Sequence, residues 1–273
     1  MSFFKRILGA LRRYDKVDLS NNINTKITNN RINSPNIISY LDNGESDSVS
    51  IPSSILPLID EKSVVEGTHE RAENNITIFD KLLYMSKQSG EKQVIRMYGL
   101  FTSLSILESK SNRSPSYEEL LKLEKEYIEL FIKQGFEVKI CASLDLPYIY
   151  EQWGYAEEEL ALRVSNLCQN ISLLSEKYSN LNFTIDTHNR LDGHFILGSS
   201  LLIKSIRVTT GKGYSQTVYD NNQVIVSNAI QTFDDVFYSA KRRELGARKL
   251  LKIERDEDYI STVIESRIKF LID

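Results

Sequence analysis

The sequence predicts an α/β fold, a mixed β-sheet flanked by helices, with an N-terminal amphipathic helix carried on a flexible tether. Two observations carry this. Between Val94 and Asp186 short apolar runs alternate with long amphipathic stripes in the order strand, helix, strand, helix, strand, a βαβαβ succession that calls for crossovers between parallel strands. Between Leu181 and Val226 short apolar runs are separated by turns alone: Phe183 to Ile185, His194 to Leu197, Leu201 to Val208, Tyr214 to Tyr219 and Gln223 to Val226. Together they make six strand-like segments around one sheet, without a convincing internal repeat.

At 273 residues the chain has room for one large domain and an appendage. A net charge of -3 and a pI near 5.8 exert no global pull on nucleic acid or anionic membranes, so either contact would need a local patch. Cys141 and Cys168 fall in a strand-like run and a helix-like stretch, which suits packed thiols in a reducing cytoplasm better than a disulfide framework. The longest apolar runs fall well short of a membrane span, and no apolar region with a small-residue cleavage site follows the N-terminus. The expectation is a cytoplasmic protein without a transmembrane segment, cofactor or metal.

Residues 1–14 read as a basic amphipathic helix. Phe3, Phe4, Ile7, Leu8 and Leu11 share a face, with Lys5, Arg6, Arg12 and Arg13 largely away from it. That face, with Arg12, suits docking on an anionic membrane surface or in a partner's groove; the plainer alternative is packing on its own domain or on a second copy. Residues 15–54 are rich in Asn, Ser and Asp and lack either period, so they read as a linker. The domain proper is assigned to 55–273, with a helical extension at its C-terminus.

Its first helix is expected over Glu73 to Lys87, stopped by Gln88-Ser89-Gly90, and its first strand over Val94 to Leu100. A stronger helix runs from Ser116 to Gln134, with Glu118 and Glu119 in its first turn and Gly135 as its stop. Phe136 to Ala142 alternates as a half-covered strand, a long helix covers about Ala156 to Tyr178, and Leu181 to Asp186 is the next strand. Ile230, Phe233, Val236, Phe237 and Ala240 lie on a closing helix, and a last helix carries Tyr259, Val263, Ile264 and Ile268.

The order of elements from Gln93 to Arg243 resembles the phospholipase D-like superfamily. The resemblance rests on the strand Val94 to Leu100, the helix and strand ending in Gln134-Gly135-Phe136-Glu137-Val138-Lys139-Ile140, the long helix, Asp192-Gly193-His194-Phe195-Ile196-Leu197-Gly198-Ser199-Ser200, and Phe233-Asp234-Asp235-Val236-Phe237. An active member of that superfamily carries H-x-K-x4-D, in which a histidine attacks phosphorus and the lysine stabilises charge on the phosphate oxygens. With Asp192 and Gly198-Ser199 aligned on the signature, the histidine falls at Ile185 and the lysine at Thr187, and neither is present. His188-Asn189-Arg190 keeps an imidazole and a cation two residues apart, at too short a spacing to Gly198. The resemblance therefore implies a homodimeric, non-catalytic module with a degenerate cleft, of the kind fused to bacterial regulators or used in phage defence.

His188, Arg190 and His194, with Ser199 in the Gly-Ser bend and Lys204 on the next strand, form the candidate ligand-binding set, since a cation and two imidazoles direct donors at an anion. The plainer reading is a surface turn in which His194 makes an ordinary hydrogen bond. Gly211-Lys212-Gly213 lacks P-loop spacing and reads as a hairpin turn, and His69 beside Glu66 and Glu70 lacks a second histidine for a zinc site. Lys241, Arg242, Arg243, Arg248, Lys249 and Lys252 suit phosphates on nucleic acid, or the solvated end of a helix, where Glu244, Glu254 and Asp256 dilute them. Tyr148, Tyr150, Trp153 and Tyr155 read as a loop packed over the sheet edge, or as a place for a ligand.

The leading expectation is a non-enzymatic regulatory module that binds a ligand or a protein partner. Its rivals are a divergent phosphodiesterase or nuclease using His188, Arg190 and His194, and a membrane-surface effector or scaffold held by residues 1–14.

Overall fold

The computed structural model describes residues 58–100, 115–144, 173–174, 176–186, 193–207, 214–254, 258–259 and 262–263. In chain order these form β1 (Ser63–Glu66), α1 (Thr68–Ser89), β2 (Val94–Leu100), α2 (Pro115–Lys133), β3 (Glu137–Ser143), β4 (Leu181–Asp186), β5 (Gly193–Leu197), β6 (Leu201–Arg207), β7 (Tyr214–Asp220) and α3 (Gln223–Leu251). The N-terminal helix and linker, the aromatic cluster around Trp153, Cys168, and the turn at Gly211-Lys212-Gly213 lie outside the described residues. No described helix is long and apolar enough to cross a membrane.

All seven strands join one mixed sheet in the order β1-β7-β6-β5-β2-β3-β4. β2, β3 and β4 are parallel, while the β2/β5, β5/β6, β6/β7 and β7/β1 pairs are antiparallel. The parallel strands are those joined by helical stretches in the sequence, and the hairpins are those joined by turns, as connection length requires. β1 was not anticipated: four residues, of which Val65 is buried, are too few to show a period.

Helix termini follow local chemistry. Gly90 and Gly135 take positive φ, of 71° and 87°, directly after α1 and α2, and the Gly90 N–H bonds the Ser86 carbonyl. Glycine meets a left-handed residue there without a Cβ clash. The expected strand at Gln223 to Val226 is instead the first turn of α3. The Asn222 side-chain oxygen accepts from the Val224 and Ile225 N–H groups, satisfying donors that a helix start leaves open. Of that apolar run Val226 is buried, while Val224 is 68% and Ile225 41% exposed, so the run serves one helical position rather than a sheet face.

Alternation along the strands divides two cores. Ile95, Met97, Val138, Ile140, Phe183, Ile185, Phe195, Ile203 and Tyr219 face α1 and α2, where Phe79, Leu82, Ile128 and Phe131 cover them. The Phe79 and Phe131 rings meet edge to face at 5.6 Å, and Phe131 lies 5.0 Å from Phe136. Each such side chain stabilises the fold by about 1.5–3 kcal/mol through burial. On the opposite face Tyr98, Cys141, Ile196 and Leu202 pack under Val226, Phe233 and Phe237 of α3. β3 is thus covered on both sides: Lys139 and Cys141 are buried, whereas alternation alone had suggested a half-exposed strand.

α3 crosses this second face diagonally. Val226 packs in the cluster containing Ile196 and Leu202, Asp234 bonds Arg96 of β2 and reaches Lys139 of β3, and Glu244 bonds Thr184 of the edge strand β4.

Candidate functional site: the edge where the parallel strands end

The ends of β2, β3 and β4, at Leu100, Ser143 and Asp186, lie on one edge of the sheet, and the antiparallel β5 starts there. β2 has the parallel β3 on one side and β5 on the other, so the crossover direction changes at the β2/β5 junction. In open α/β sheets the crevice outside the strand ends at such a switch point is where ligands are held.

Strand register brings three residues of the α3-facing side to this junction. Tyr98 stands opposite His194, and His194 stands opposite Lys204. The Tyr98 and His194 ring centroids are 6.3 Å apart. The Tyr98 hydroxyl donates to Asp186 Oδ2 at 3.4 Å, and Arg243 Nη2 of α3 donates to Asp186 Oδ1 at 3.3 Å. Asp186 is 1% exposed, so its carboxylate depends on such donors for the hydrogen bonds that water would have made. His194, Tyr98, Asp186 and Arg243 therefore form a polar line from β5 across β2 and β4 to the helix.

A second group lies one step along α3. Glu244 accepts from Thr184 Oγ1 at 3.0 Å and pairs with Arg248 at 2.7 Å and Lys241 at 3.2 Å. Arg248 also lies 5.1 Å over the Tyr259 ring, whose phenol is pushed up chiefly by burial and then by Glu244, with Arg248 and Arg243 opposing. The basic run of the sequence is thus partly neutralised: Lys241, Arg243 and Arg248 have carboxylate partners within the fold. At the other end of the parallel strands Arg96 makes a two-pronged contact with Asp234 at 3.0 and 3.1 Å, and Lys139 donates to the Tyr238 hydroxyl at 2.8 Å. These contacts fasten α3 to the sheet.

A sealed polar cluster sits on the opposite face. Glu124 of α2, fully buried, pairs with Arg71 at 3.3 Å and accepts from Asn75 at 2.7 Å, both on α1. The Tyr219 hydroxyl lies 3.1 Å from Asn75 Oδ1 and 3.2 Å from the Arg71 carbonyl. Burial pushes the Tyr219 phenol well above its ordinary range, Arg71 opposes this, and Glu124 and Glu70 add to it.

The sequence-predicted site divides. His194 and Lys204 come together at the switch point, while His188 and Arg190 lie outside the described residues, in the segment that joins Asp186 to Gly193. Ser199 does not join them. It is exposed in the turn after β5, at the other end of that strand from His194, roughly 16 Å away at the usual rise per residue. Gly198, at φ 59°, makes the turn, and its N–H bonds the Val94 carbonyl where β2 begins, so the Gly-Ser bend belongs to the opposite edge. Ile185, near which the sequence alignment expected the signature histidine, is a core residue at 3% exposure. His69 pairs with Glu73 at 3.4 Å on the exposed surface of α1.

Tyr98 and Asp186 escaped the sequence reading. Their signal was present: in strands with apolar residues at every other position, Arg96, Tyr98, Lys139, Thr184 and Asp186 mark a second face that is polar yet must be covered.

No family model matches the chain, and no curated protein matches it in sequence. Among solved structures, NucT from Helicobacter pylori is similar at 10% identity and a TM-score of 0.37, covering 66% of this chain and 96% of that one. Nuc from Salmonella typhimurium, a phospholipase D family member, is similar at 14% identity and a TM-score of 0.34, covering 65% of this chain and 95% of its own. TrmBL2, an archaeal chromatin protein with a novel mode of DNA binding, has 10% identity and a TM-score of 0.35; the match covers 71% of this chain and 56% of that one.

Proposed function

We propose that the chain is a non-enzymatic regulatory module that holds an anionic ligand at the β2/β5 junction. The observation that supports it best is the pairing of His194 with Lys204 on neighbouring strands, with Tyr98 of β2 opposite His194. An ammonium and an imidazole on neighbouring strands offer directed donors to a phosphate or carboxylate group. Asp186, held by Tyr98 and Arg243, serves in this reading as a brace at the end of β4, next in sequence to the segment that carries His188 and Arg190. The isoleucine at position 185 supports a binding role over catalysis, since a buried aliphatic side chain supplies neither nucleophile nor acid. The setting we propose is bacterial regulation, including phage defence, as a homodimer or with a protein partner, and in the cytoplasm.

The test sets binding against turnover. Inorganic phosphate is titrated calorimetrically into the wild type and into His194→Ala and Lys204→Ala proteins, and the wild type and His188→Ala are assayed on single- and double-stranded DNA, RNA and a chromogenic phosphodiester. The expected result is phosphate binding that each of the first two substitutions weakens, without cleavage. Cleavage by the wild type that disappears in His188→Ala would replace this reading with that of a divergent phosphodiesterase.

A further inference from the structure

The outward side of the end of α3 has a composition that the fold itself does not explain. The helix buries Phe233, Phe237, Ala240 and Glu244 along one line. Arg242, Gly246 and Leu250 follow one another at four-residue spacing on the other side, and Leu245 and Lys249 lie beside them. All are exposed, Leu245 by 64% and Leu250 by 82%. The diagonal course of the helix accounts for part of this, because Glu244 meets β4, the last strand of the sheet among the described residues.

Gly246 has no internal explanation. It lies within the helix and is not among the described glycines with positive φ, and a Cβ built on it would meet nothing within 4 Å. Among the described residues, neither backbone conformation nor packing therefore asks for glycine, which is among the poorest helix formers. Its effect is a notch in the ridge of side chains spaced four residues apart, between Arg242 and Leu250. A notch between exposed leucines is where a ridge of another helix can seat, with its backbone close to that of α3.

Charge selects the occupant. Lys241, Arg243 and Arg248 are engaged with Glu244 and Asp186, whereas among the described residues Arg242 and Lys249 make no ion pair. A second copy of this face would set cations against cations, and the basic helical stretch at residues 2–14 carries the same sign. We infer that the notch at Gly246, flanked by Leu245 and Leu250 and by Arg242 and Lys249, is the docking site for an acidic amphipathic helix of a partner protein. Its apolar stripe covers the two leucines, and its carboxylates meet Arg242 and Lys249.

The experiment uses the full chain and a fluorescein-labelled helical peptide with a leucine stripe flanked by glutamates. Its controls are the same peptide with lysine in place of glutamate, a labelled DNA duplex, and vesicles containing an anionic phospholipid. Binding is measured for the wild type, for Gly246→Leu, and for the double variant Arg242→Glu/Lys249→Glu. Gly246→Leu should raise the thermal midpoint, since leucine is the better helix former and nothing nearby opposes it, so lost binding in that variant is not lost folding. Expected are saturable binding of the acidic peptide and a tenfold or greater loss in each variant, with no binding of the lysine peptide. Failure of the acidic peptide to bind, or unchanged binding by Gly246→Leu, overturns the proposal. So does tighter binding of DNA or vesicles that depends on Arg242 and Lys249, which would reassign the surface. Phosphate binding at His194 and Lys204 is independent of all these outcomes.

Discussion

The two faces of the sheet solve the problem of buried charge differently. Beneath α1 and α2 the core is aliphatic and aromatic, and the buried charges Arg71 and Glu124 are gathered in one sealed group with Asn75, joined by Tyr219. Beneath α3 the apolar contact is smaller, and ion pairs run along the helix from Arg96–Asp234 to Asp186–Arg243 and Glu244–Arg248. Exposure differs between these pairs: the Arg96 side chain is 10% exposed and that of Arg243 45%, while those of Arg248 and Glu244 are 15% and 5% exposed. Charge sealed between elements serves rigidity, because each group is costly to leave unpaired, whereas charge at a sheet edge remains close to solvent and to any ligand.

Breaking the sealed cluster should therefore have the largest effect. Glu124→Ala leaves Arg71 buried without its carboxylate and should cost about 3–5 kcal/mol in urea unfolding. Replacing Arg71 and Glu124 together by methionine should recover most of that loss; no recovery would mean that the pair is prized for more than neutrality. On the α3 face Asp234→Ala removes both prongs from Arg96 and should cost about 1.5–3 kcal/mol on the same measurement. A loss as large as that of Glu124→Ala would erase the distinction between the faces.

Tyr219 gives the sealed cluster a dependence on pH. Its folded phenol titrates well above the unfolded value of about 10, so the folded state holds its proton longer. Stability from this difference is fully present below pH of about 10 and falls as pH rises toward the folded value. Thermal midpoints scanned upward from pH 9 should decline more shallowly for Tyr219→Phe, although that variant starts lower for want of its hydrogen bonds. Parallel declines would assign the alkaline loss elsewhere.

The remaining effects are smaller. Asn222→Ala, which removes the cap of α3, should cost about 1 kcal/mol. Arg243→Ala should cost about 0–1 kcal/mol, since its half-exposed pair with Asp186 is screened by solvent. If Arg243→Ala destabilises as much as Asp234→Ala, the edge of the sheet is as sealed as its middle.

Much of the framework was legible in the sequence. β2 and β4 fall where their apolar runs place them, and Gly90 and Gly135 end the helices that they were expected to end. The misreadings have local causes as well. Gln223 to Val226 is apolar enough for a strand, and the Asn222 cap, two donors satisfied by one side chain, decided for a helix. Lys139 and Cys141 looked like the wet side of β3 because nothing near them in sequence shows that α3, about a hundred residues later, lies over them. In the candidate set His194 and Lys204 stand opposite each other on neighbouring strands, which their sequence positions alone did not decide, whereas Ser199 was drawn in by its closeness in sequence, which a strand converts into distance.

What the sequence determined by itself is the set of elements, the apolar side of each helix and the glycine stops, because these depend on periodicity and on φ within a few residues. Tertiary structure alone decided that β5 inserts beside β2, and with that choice that Tyr98 meets His194 and Asp186 meets Arg243. Strand order and register are set by packing between segments far apart in the chain, where one step of register exchanges the residues on the two faces.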